Sequence, residues 1–115
     1  DTRWKPIDGF PVRAGWFRAI HRAHAEVAAG LDLRVPCLVL HAARSASPTR
    51  WSDAARAADI VLDVADIRRL APRLGARVEV RAIEGGLHDL ALSADAPRAA
   101  TFAAMDAWLS RTLGS

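Results

Sequence analysis

At 115 residues the chain has the length of a single domain, and at 51% hydrophobic and 25% charged its composition is that of an ordinary globular protein. No apolar run approaches the roughly 18 to 20 residues needed to cross a bilayer, and the single cysteine, Cys37, excludes a disulfide framework. The formal charge of +3 comes almost wholly from arginines scattered between Arg3 and Arg111, a pattern of solvated surface and not of a nucleic-acid footprint. Residues 1–6 lack the basic and apolar regions of a signal peptide and an initiating methionine. A cytoplasmic location and a start inside a longer gene product are therefore the expectations.

Residues 1–15 contain two prolines, two glycines, Trp4 and Phe10, and read as irregular polypeptide. From Trp16 to Ala29 the spacing predicts a helix. Trp16, Phe17, Ile20, Ala23, Val27 and Leu31 fall on one face, Arg18, Arg22 and Glu26 on the other, and Gly30 provides the stop. His21 and His24 lie three residues apart on this helix, but no carboxylate or cysteine accompanies them, so packing or solvent exposure is favoured over metal binding.

The run VPCLVLHA, Val35 to Ala42, is apolar throughout and predicts a strand covered on both faces, with Cys37 buried as an inert thiol. A polar, alanine-containing segment from Arg44 to Ala58 follows, without clear period. Loops of this length inside a domain are usually functional or mobile. Asp59 to Val64, DIVLDV, leads into a helix from about Val64 to Leu74, with Asp63 at the N-cap, Asp66 in the first turn and Pro72 shortening the last turn before Gly75.

Arg77 to Ile83 alternates charged and apolar residues, as a half-buried strand does. Gly85 and Gly86 then allow positive φ and close backbone approach, and His88 follows past the strand's C-terminal end. In sheets of βα units that end is where sites form. The last helix is expected from about Ala96 to Leu113, capped by Asp95, with Pro97 in its first turn and Phe102, Met105, Trp108 and Leu109 on its buried face.

The strand–helix–strand order implies a parallel pair in an α/β fold. Two strands are not a sheet that stands in water. A central strand as apolar as VPCLVLHA needs a partner on each edge, and this chain supplies one at most. The fold expected is therefore the C-terminal βαβα part of a parallel, three-layer sheet that is incomplete on its own. A missing segment or a second copy would complete it.

The strand VPCLVLHA, the acid in AADIVLDV, the strand RVEVRAI and the turn GGLHDL resemble the last two βα units of an α/β-hydrolase. They are most similar to the serine aminopeptidase and monoacylglycerol-lipase-like branch, often called lysophospholipase-like. The resemblance covers essentially the whole chain: residues 1–31 look like the end of a cap segment and its helix, and residues 35–115 like the two βα units. The family's triad runs Ser, Asp or Glu, His along the chain. The resemblance thus implies Asp59 as the acid and His88 as the general base. Asp53 and Asp63 are the rivals of Asp59, Asp63 being better explained as a helix cap, and Asp89 reads as a loop-stabilising residue. In the family the acid follows its strand closely, whereas here Arg44 to Ala58 intervenes. That insertion could wall the pocket, with Trp51 as a candidate substrate-contacting side chain.

No G-x-S-x-G elbow occurs: Ser45, Ser47, Ser52, Ser93, Ser110 and Ser115 all lack its flanking glycines. The chain is therefore expected to be inactive alone. The parent would be a serine hydrolase acting on a small-molecule carboxylic ester or lipid-like substrate, with no cofactor implied. The alternative is a non-catalytic α/β interaction module that dimerises through an open sheet edge.

Overall fold

A computed structural model describes residues 11–47 and 52–114. In chain order it holds a helix α1 (Ala14–Ala29), a strand β1 (Cys37–Ala42), a helix α2 (Val64–Leu70), a strand β2 (Val78–Ile83) and a helix α3 (Asp95–Leu113). Short 3-10 turns at Asp53–Ala57, Ala71–Leu74 and Leu90–Leu92 complete it. The class is mixed α/β, and the sheet is one parallel pair running from Cys37 opposite Val78 to Ala42 opposite Ile83. The βαβ crossover expected from the element order is present.

Local chemistry accounts for the boundaries. Gly30 ends α1 at φ 103°, its N–H donating to the carbonyls of Glu26 and Val27. The Asp63 carboxylate caps α2 by accepting from the Ala65 amide at 2.8 Å. Pro72 cannot continue the α ladder, and from Ala71 the helix tightens into a 3-10 turn. The expected cap at Asp95 is corrected: Asp95 is the first residue of α3, and its carboxylate instead accepts from Arg98 at 2.6 Å. One turn in, the Arg98 guanidinium takes that oxygen.

Val39 on β1 shares a cleft of about 570 Å³ with Val27, Ile67 and Leu70 of α1 and α2. Leu38 and Leu40 share one of about 370 Å³ with Met105, Trp108 and Leu109 of α3. Alternate strand residues point to opposite faces, so helices cover both sides of β1, though loosely. Arg111 of α3 reaches Glu79 of β2 at 3.0 Å and ties the two elements together.

Two burial expectations need correction, and a third apolar face is uncovered as well. The apolar stripe of α1 is open, with Trp16, Phe17 and Ile20 exposed. Phe102, Met105 and Leu109 of α3 are exposed as well, and the buried residues of that helix are Thr101 and Ala104. Cys37 is half-buried. For the two helices the cause is shared: a two-stranded sheet offers too little surface to cover three helices.

Candidate active site

The site lies at the C-terminal end of the parallel pair. After β1 the chain does not drift away through the long polar segment. Ser45 forms a parallel bridge with Asp59, the Asp59 N–H donating to the Arg44 carbonyl at 2.8 Å and the Ala46 N–H to the Asp59 carbonyl at 2.8 Å. The chain around Ser45 and the chain around Asp59 are thus held side by side. The separation in sequence between β1 and the acid disappears in space.

Asp59 is buried, with 3% of its surface exposed. Its Oδ1 accepts from the amides of Val61 and Leu62, each at 2.8 Å, which turns the carboxylate's other oxygen outward. After β2, Gly85 takes φ 71°, a conformation costly for residues with a Cβ. Gly86 supplies the close approach: a Cβ there would sit 2.6 Å from Leu90 Cδ2 and 3.1 Å from the Ile83 carbonyl oxygen. This turn delivers His88 beside the acid.

The two side chains meet. His88 Nδ1 lies 3.0 Å from Asp59 Oδ2. A carboxylate only accepts, so the proton sits on Nδ1 and the lone pair of the neutral ring on Nε2. The imidazole side chain is 45% exposed against 3% for the carboxylate, so the couple has a sheltered anchor and an accessible working end. Burial is the largest influence on the Asp59 carboxyl and works against its ionisation. The Leu62 amide, the His88 imidazole and the Val61 amide together outweigh it, and the group titrates below its ordinary value.

Beside His88 opens a cleft of about 340 Å³ walled by Ala55, Ala58, Ile60, Val61, Leu87 and Leu92. Its wall is mainly apolar, and Ala55 and Ala58 come from the long polar segment. Trp51, the expected substrate contact, lies outside the described residues. Of the rivals of Asp59, Asp63 caps α2, and Asp53 begins the 3-10 turn of residues 53–57, outside the lining of this cleft. Asp89 accepts from the Ala91 amide at 3.1 Å and stabilises the loop after His88.

Two residues escaped the sequence reading. Ser45 Oγ donates to the Leu62 carbonyl and accepts from the Val64 amide, both at 2.8 Å. Ser93 Oγ, in a residue 2% exposed, accepts from the Leu87 amide at 2.9 Å. The only available signal was their position just after an element that carries chemistry. Among the described residues no group of three His, Cys, Asp or Glu side chains could hold a metal ion, and no helix is long and apolar enough to cross a membrane.

A comparison with protein-family models, curated proteins and solved structures returns no match.

Proposed function

We propose that this chain is the C-terminal part of an α/β-hydrolase-type serine hydrolase acting on carboxylic esters, carrying the triad's acid and base but not its nucleophile. The observation that carries the reading is the bond from the His88 imidazole to the buried Asp59 carboxylate, formed where two adjacent parallel strands end. In the proposed reaction His88 Nε2 takes the proton of a serine hydroxyl as that oxygen attacks the ester carbonyl, then returns it to the leaving alkoxide. Asp59 holds the ring in the tautomer that leaves Nε2 free and stabilises the imidazolium. The apolar cleft beside the imidazole suits an acyl or alkyl group.

The reading predicts that the isolated chain does not turn over p-nitrophenyl butyrate above buffer. It predicts that the longer gene product does so, and is labelled by a fluorophosphonate on a serine outside these residues. In that protein His88→Ala should lower kcat on the order of a million-fold and Asp59→Asn on the order of ten thousand-fold, as in serine proteases. Turnover by the isolated chain that His88→Ala abolishes would sink the proposal. So would a start codon immediately before Asp1.

That second result would favour a non-catalytic module that dimerises. Its supporting observation is that, among the described residues, each strand has a neighbour on one side only. An unpaired edge is a template for a second chain.

A further inference from the structure

Each half of the couple sits inside a small hydrogen-bonded ring, and a serine hydroxyl closes each ring. The turn from Asp59 to Val64 is tied at its start by the backbone bridge to Ser45 and at its end by the Ser45 hydroxyl, which holds both Leu62 and Val64. The loop from Leu87 to Ser93 carries His88 as its second residue. The Ser93 hydroxyl holds the Leu87 amide, while the Asp89 carbonyl accepts from the Leu92 amide at 3.0 Å and the Leu90 carbonyl from the Ser93 amide at 3.3 Å.

We infer that Ser45 and Ser93 are positioning residues, whose hydroxyls fix the approach of Asp59 and His88. The Ser45 contacts span 17 and 19 residues of sequence, so no local turn preference could supply them. Both bonds of Ser45 engage backbone groups at the mouth of α2, where Val64 is buried and its amide has no partner within the helix. Without the hydroxyl, Leu62 loses a tether, and Leu62 is one of the two amides that orient the Asp59 carboxylate. Ser93 acts on the other member, since a shift of Leu87 is a shift of the residue joined to His88. Small displacements suffice, because a hydrogen bond weakens steeply with angle and length.

The inference rests on the Asp59–His88 bond and not on the hydrolase reading, and its readout needs no nucleophile. The test is two-dimensional NMR of imidazole nitrogens in the 15N-labelled full chain. Wild-type His88 should appear as the Nδ1–H tautomer. Ser45→Ala and Ser93→Ala should each move it toward the mixed tautomer population of an unpaired ring, with His21 and His24 on α1 unmoved, and Ser45→Thr should restore the wild-type signal. An unchanged His88 signal in either folded alanine variant overturns the proposal. Amide exchange in the wild type gives a check that needs no variant to fold. Val64 and Leu87 should exchange about a hundredfold more slowly than an unstructured chain, and unprotected amides at those two positions also overturn it.

Discussion

Asp59 spends its two oxygens differently, one on backbone and one on a side chain. Its folded titration lies below the unfolded value of about 3.9, so its bonds contribute stability in full above about pH 4. That contribution is lost as pH falls through the folded value. Asp59→Asn should remove it. Urea melts at pH 7 and pH 3 should show a smaller loss on acidification in the variant than in the wild type, and parallel losses would refute the assignment. The pairing of Asp59 with His88 was legible only through the family resemblance, because residue pattern alone left Asp53 and Asp63 as rivals. Ser45 and Ser93 were not, because their partners are backbone atoms brought near only by the fold. The sequence between Ser45 and Asp59 misled in the opposite direction: counted along the chain it separates Asp59 from β1, while the bridge places the two side by side.

Periodicity and end signals located all five regular elements. Gly30 and Pro72 marked ends because one needs no Cβ and the other lacks an N–H, and both act locally. Burial was less legible, since an apolar stripe states what a helix can cover and not what the chain provides for it to cover. Gly75 offers a sharp test at this scale. It bridges to Leu33 between α1 and β1, and an added Cβ would run into the Leu33 carbonyl. The obstacle is backbone, not a flexible side chain. Gly75→Ala should therefore destabilise by about 1–3 kcal/mol in urea unfolding, with the loss of protection concentrated at Leu31 and Leu33, whose amides bond Arg73 and Leu74. A neutral substitution would show that this contact has room to relax.

At the level of the whole molecule, the buried apolar residues are small. Ala42, Ala55, Ala58, Ala71 and Ala104 are buried, and Val64 and Ile83 are the largest aliphatics among them. Trp16, Phe17, Phe102, Leu109 and Leu113 stay exposed, which leaves the side chains that dominate folding energetics facing water. Such surfaces mark contact with another polypeptide or a liability to aggregate. The isolated chain is predicted to bind a hydrophobic dye, and to elute from gel filtration as an associated species whose size grows with concentration. A monodisperse, dye-silent monomer at high concentration would contradict the incomplete sheet. The expectation of added strands comes from VPCLVLHA alone, because a strand apolar on both faces and short of neighbours is poorly served by two strands.

The bridge between Ser45 and Asp59 pins the two ends of the intervening sequence together. The length and composition of that sequence can drift while the acid stays in place, because the closure entropy of a loop changes slowly with its length. Exchanging residues 47–54 for a short Gly-Ser link should leave the His88 tautomer as it was while reshaping the neighbouring cleft. The shape of the cleft and the geometry of the Asp59–His88 pair would then be free to change separately, each on its own side of one pair of backbone bonds.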